Sequence, residues 1–239
     1  MPEGVNLHRE SFEALYQQSV ISCGKAHAYE LYMDGATAGD NSAWAVVAVA
    51  VSDSGRRFLG CLGGLTEIDS GSPKRIGAAH QTNIDAELSA MVFATAFAFF
   101  GSEDAQFVIR PDLALSHRFL WIQSTTRQDS VLAKVLHVLG ESLPSNIAVE
   151  EVRAHCGDPW NELADSVAKH IAKTGVTVGA VPWRVVHQIA TSPLTIKWEW
   201  LRREKDSYQK TMPALHSDAV WQTHSFCKED WSVHSKDAT

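Results

Sequence analysis

From Ala28 the chain alternates with a period of two. Tyr29, Leu31 and Met33 fall on one side, and Glu30, Tyr32 and Asp34 on the other, which predicts a strand with two unlike faces. After Asp34-Gly35 and a few small residues, the Val/Ala run 44–51 reads as a buried strand. Residues 52–55 read as a turn, and 57–65 as a third strand. Three strands on short turns predict an antiparallel meander. The period then changes. Residues 64–82 are rich in Gly, Ser, Pro, Lys and Arg and read as a loop, after which Thr82-x-x-Asp85 opens a helix reaching about Phe100. Gln106 begins a short apolar strand ended by Pro111. Residues 113–123 and 130–143 read as helices, and 147–152 as a strand. Asp158-Pro159 supplies an N-cap and a first-position proline for a helix to about Lys173. The order β-β-β-α-β-α-α-β-α predicts an α/β fold, a mixed sheet flanked by helices.

Beyond Gly175 the periodicity fades. Residues 177–239 show one helical stretch, 194–208, overlapping a charged run at 197–205. The expected organisation is an N-terminal extension (1–26), a compact domain (27–176) and a C-terminal tail or docking segment (177–239).

Composition narrows the class. With 45% hydrophobic and 21% charged residues the chain reads as globular. Its longest apolar run, 43–51, is too short for a membrane span. Met1-Pro2-Glu3-Gly4 does not open a secretory signal. The four cysteines form no C-x-x-C pair, which argues against a disulfide framework or a structural zinc site. A soluble, intracellular protein is expected. The formal charge of −7, from 21 Lys+Arg against 28 Asp+Glu, argues against coating nucleic acid by charge alone. It leaves room for such a partner, because carboxylates gathered around metal ions add to the acidic count.

Four acidic residues stand out. Asp34 ends the first predicted strand, where Asp-Gly is also an ordinary turn signal. Glu87 shares a helical stripe with Ala90, Met91, Ala94 and Ala98, with no Lys or Arg between Asp85 and Ser102 to pair with it. An inward carboxylate must be protonated, paired or bound to a cation; the alternative is a solvated first-turn glutamate favoured by the helix dipole. Asp112 closes the fourth strand. If strands one and four are parallel neighbours, it emerges beside Asp34 at their carboxyl ends. Asp165 sits at the edge of the last helix's apolar stripe, where it reaches a cleft or faces water. Converging carboxylates without basic partners repel one another. Paired Mg²⁺ ions, hard cations that prefer carboxylate oxygen, relieve that cost, as in nuclease and polymerase sites.

The segments Leu31-Tyr32-Met33-Asp34-Gly35-Ala36, Thr82-Asn83-Ile84-Asp85-Ala86-Glu87-Leu88, Phe107-Val108-Ile109-Arg110-Pro111-Asp112 and His155-Cys156-Gly157-Asp158-Pro159-Trp160-Asn161-Glu162-Leu163-Ala164-Asp165 resemble the four successive motifs of ribonuclease H. The last, His-x-Gly-x-x-x-Asn-Glu-x-Ala-Asp, is the most diagnostic. The resemblance covers roughly residues 27–176 and is closest to the ribonuclease H domains of retroelement polyproteins. It implies a five-stranded mixed sheet in the order βββαβαβα. It also implies Asp34, Glu87, Asp112 and Asp165 as metal-binding carboxylates and His155 as a mobile histidine aiding proton transfer or product release. Gly35 and Asn83 match substrate-contacting positions, Asn83 equally explained by helix capping. Asn161 and Glu162 would steady the loop and helix.

The implied reaction is hydrolysis of the RNA strand of an RNA–DNA hybrid by two Mg²⁺ ions, or Mn²⁺ in their place, leaving 5′-phosphate and 3′-hydroxyl ends. Departures from the family bear on recognition. Pro111 and Leu113 flank Asp112, Ile84 and Asp85 replace a polar pair, the 64–81 loop is long, and Arg118, Arg127 and Lys134 are a sparse basic handle. Two alternatives stay open. One is a catalytically weak or inactive scaffold or connection module; the other is a related nuclease acting on DNA or structured RNA.

Overall fold

The computed structural model describes residues 9–23, 26–53, 55–101, 104–112, 131–152, 158–175 and 178–181. The predicted helix at 113–123, the tail beyond residue 181, Arg118, Arg127 and His155 lie outside the described residues. In chain order the elements are α1 (Arg9–Cys23), β1 (Ala28–Ala38), β2 (Asn41–Ser52), β3 (Gly55–Leu65), α2 (Asn83–Phe99), β4 (Gln106–Pro111), α3 (Val131–Glu141), β5 (Ile147–Val149), α4 (Pro159–Thr174) and β6 (Val178–Val181).

The strands form one sheet in the order β5-β4-β1-β2-β3-β6. β1 pairs antiparallel with β2 and parallel with β4; β4 pairs parallel with β5, and β3 antiparallel with both β2 and β6. The predicted α/β class and mixed sheet are therefore present. The sheet has six strands rather than five. After Gly175 ends α4 in a left-handed conformation (φ 71°), the chain returns to pair Val178 with Gly63 and Val181 with Cys61. Four residues carry too little periodicity to be read as a strand; the open edge of β3, with unpaired backbone groups, selects them.

Alternation along β1 sorts its residues between two layers. Leu31 and Met33 join Val46 and Ala48 of β2 in a core roofed by α2, where Trp44 stacks on Phe93 with ring centroids 3.7 Å apart. α2 is buried from Asp85 to Ala98. That continuous burial arises because other helices flank it. α1 places Phe12 against Phe97, and the Tyr16 hydroxyl donates to the Phe97 carbonyl; α3 adds Leu132, Leu136 and Leu139 to the same core. The opposite face of the sheet packs against α4, with Phe58 of β3 stacked on Trp160 and Gly63 leaving space for Ile171.

Both predicted helix starts are capped. Thr82 Oγ1 accepts from the Asp85 amide at 3.1 Å, and Asp158 Oδ1 accepts from the Trp160 and Asn161 amides at 3.0 and 3.2 Å. The Asp85 carboxylate accepts from the His80 amide, at 2.9 Å, and so ties the preceding loop to α2. No helix among the described residues is long and apolar enough to cross a membrane.

Candidate active site

β1 does not end at Asp34. Its pairing with β2 runs on through Asp34↔Ala45 to Ala38↔Asn41, and the turn falls at Gly39, with φ 60°. Asp-Gly here is a strand dipeptide rather than a turn, because the β2 partner continues beyond the point where β4 leaves. The β1–β4 register closes at Met33↔Pro111. One residue further on each strand are Asp34 and Asp112, which therefore emerge together.

Gly35 brings in the third carboxylate. A Cβ at this position would stand 2.7 Å from the Ala86 carbonyl carbon and 2.9 Å from Ala86 Cβ, with the Glu87 nitrogen closer still. Only glycine lets the first turn of α2 descend so far onto β1. The result is a cluster in which one carboxylate oxygen each from Asp34, Glu87 and Asp112 lie within 4.8 Å of one another.

The cluster is electrostatically costly. Asp34 is 3% exposed, and its Oδ1 accepts from the Gly35 amide at 2.7 Å. Burial, followed by the charges of Glu87, Asp112 and Asp165, holds its carboxyl well above the usual range. Glu87 is pushed up to about 8 by burial and then by the Asp112 charge, against hydrogen bonds from Asp34 and the Gly35 backbone. Its Oε2 is buried with no hydrogen-bond partner among the described residues. A buried carboxylate oxygen left this way is costly unless a proton or cation occupies it. Asn161 Nδ2 stands 3.5 Å from Asp112 Oδ2, a long contact that links α4 to the end of β4.

Asp165 is buried on α4, beyond the rim position expected of it, and lies outside the three-residue cluster. Its Oδ2 is 2.8 Å from Lys169 Nζ. Helical geometry carries Lys169 to Asp165, so this fourth carboxylate has a basic partner on its own helix. The signal was present as an Asp-x-x-x-Lys spacing, one helical turn apart. A second charged cluster also went unread. Glu30, buried on the same face of β1, accepts from Arg56 and Arg110, and Arg110 also donates to Glu150. Asn83, exposed in the first turn of α2, is not the cap, since Thr82 takes that place.

No family model and no curated protein matches the chain. Among solved structures it is similar to LC9-RNase H1, a type 1 RNase H with the type 2 active-site motif. The two are 13% identical, with a TM-score of 0.50 over 73% of this chain and 85% of that one. The fold is that of ribonuclease H. Weaker likenesses are to RNase H1 of the halophilic archaeon Halobacterium salinarum (24% identity, 61% of this chain and 97% of that one, TM-score 0.41). Another is to the protease–reverse transcriptase of prototype foamy virus (14% identity, 60% and 20%, TM-score 0.45). On this ribonuclease H fold the acidic triad is drawn from the carboxyl end of β4, the N-terminal part of α2 and the continuing strand β1.

Proposed function

We propose that the chain is a metal-dependent endoribonuclease that hydrolyses the RNA strand of RNA–DNA hybrids, leaving 5′-phosphate and 3′-hydroxyl ends. One observation carries this. On a ribonuclease H fold, three carboxylates are drawn within 4.8 Å of one another, two of them deeply buried, with Glu87 Oε2 lacking a hydrogen-bond partner among the described residues. Such a group is expensive for a scaffold to keep and is the natural donor set for a hard divalent cation.

In this assignment Asp34, Glu87 and Asp112, with Asp165 alongside, hold Mg²⁺, for which Mn²⁺ can substitute. Bound divalent cations supply Lewis acidity to the attacking and departing oxygens of a phosphoryl displacement. The residues of the chain do the rest. The Gly35 amide fixes Asp34 Oδ1, and Asn161 steadies the end of β4 at Asp112. The exposed Asn83, together with Gly35, contacts the RNA strand, where discrimination against DNA requires sensing a 2′-hydroxyl. His155 moves the proton to the leaving group or aids product release. Residues 27–176 carry the catalytic motifs of an intracellular protein related to retroelement polyproteins, and the flanking segments 1–26 and 177–239 add α1 to its core and β6 to its sheet.

A nuclease acting on DNA or structured RNA, or an inactive scaffold, is the competing assignment. It is favoured by Asp85, which replaces a polar recognition residue and is buried, its carboxylate accepting from the His80 amide. The deciding experiment is cleavage of a labelled RNA–DNA hybrid beside RNA–RNA and DNA–DNA duplexes, with Mg²⁺, Mn²⁺ or EDTA. Cutting confined to the RNA of the hybrid, metal-dependent and absent in Asp34→Asn, is the expected result. Cutting of another duplex, or none by a folded, metal-binding protein, transfers the assignment to the alternatives.

A further inference from the structure

Lys169 follows Asp165 by one turn of α4, and its ammonium stands 2.8 Å from Asp165 Oδ2. The aspartate side chain is 8% exposed and that of the lysine 28%. This is an ion pair at the edge of a water-poor site, where charges act on one another more strongly than on an open surface. The order, acid before base along the helix, is the favourable one for an i,i+4 pair. Asp165 thereby differs from the other three carboxylates. Asp34, Glu87 and Asp112 face one another, whereas Asp165 faces a cation that the chain itself provides.

Taking the carboxylates as the metal site proposed above, we propose that Lys169 is a positioning residue that holds Asp165 in place of a second divalent cation and sets the concentration at which that cation binds. The reasoning is one of charge and place. The Asp34–Glu87–Asp112 triad is the stronger attractor and takes the first divalent cation. With the ammonium counted, that cation leaves four ionised carboxylates with a single negative charge. A second divalent cation must then displace the ammonium from Asp165 or carry the site past neutrality. An alanine or glutamine at position 169 would impose neither condition. The chain thus has a built-in reason to bind its two cations with unequal affinity, the weaker one conditional on moving a side chain that is already partly in solvent.

The test is calorimetric titration of Mn²⁺ into the full chain, with circular dichroism to establish folding. The variants are Lys169→Gln, Lys169→Met, Lys169→Arg and Asp34→Asn. Wild type is expected to show a strong and a weak binding event. The weak event should tighten by about tenfold in Lys169→Gln and Lys169→Met, while Lys169→Arg, which keeps the charge, should stay near wild type. An unchanged or weakened second event in the Gln and Met proteins overturns the role of Lys169. So does an Arg protein that binds as tightly as the Gln one. If wild type shows no Mn²⁺ binding that Asp34→Asn removes, the carboxylate site itself is wrong, and the role of Lys169 falls with it.

Discussion

Glu30 and Asp34 lie on the same face of β1, four residues apart, and both are almost wholly buried. Around Glu30 the chain supplies its own cations. Arg56 Nε approaches Glu30 Oε2 at 2.7 Å, Arg110 Nη2 approaches Oε1 at 2.8 Å, and the Tyr32 hydroxyl donates at 3.2 Å. Burial alone would raise the Glu30 carboxyl, but the hydrogen bonds and charges of Arg56 and Arg110 outweigh it and hold the group below its ordinary range. Around Asp34 the neighbours are Glu87 and Asp112, and the shift is upward. The lesson is that burial does not decide a carboxylate's state; the sign of what is buried beside it does. One region is internally neutralised and structural. The other is left acidic, and that is where a mobile cation has a reason to bind.

The sharpest way to break this contrast is at Asp34 itself. Asp34→Asn or Glu87→Gln should reduce cleavage to background while raising the melting temperature of the metal-free protein, because each removes a repelling charge without changing shape. Loss of activity with loss of folding would place Asp34 among the structural carboxylates instead. Next in size, His155→Ala should slow turnover by up to about 10²-fold, within the range of a general acid–base contribution, and leave Mn²⁺ binding unchanged in calorimetry.

On the other side of the contrast, Arg110→Ala strips Glu30 of its more buried partner. It should cost about 3 kcal/mol in urea unfolding. Arg56→Ala, at a guanidinium 42% exposed, should cost no more than about 1 kcal/mol. Equal losses at the two arginines would show that burial does not grade the pair.

The two regions also predict opposite pH trends. Glu87 is raised from 4.5 to about 8, so its protonated form is the one the fold favours. That contribution is complete below pH 4.5 and lost as pH rises toward 8. Glu30 is lowered, so its contribution is complete above its unfolded value of 4.5 and lost as pH falls through the folded value. Thermal melts in EDTA should therefore decline from about pH 4.5 to about pH 8, and saturating Mn²⁺ should flatten that decline. In Glu87→Gln the slope should shrink even without metal.

Much of the architecture was legible because it rests on local rules. The period-two alternation of β1 depends only on which residues face each layer. Asp158-Pro159 and Thr82 mark helix starts because their side-chain oxygens satisfy amides two or three residues away. α1 was less legible. Phe12 and Leu15 find their place in the core only once α2 and β4 have brought Phe97 and Phe107 together, and nothing within the helix announces that surface. The true end of β1 at Ala38 was hidden for a similar reason, since only the length of β2 shows that Asp34-Gly35 is paired.

By itself, then, the chain determined its strand faces, its helix starts and the acidic residues distributed across four distant segments, because pattern and capping act over a few residues. Tertiary structure alone decided which acids meet. It set Asp34 beside Asp112 through a parallel register and lowered Glu87 onto them through the missing Cβ of Gly35. It also joined Glu30 to two arginines drawn from different strands. Charge interactions depend on distance in space, and distance in space is what a single sequence does not contain.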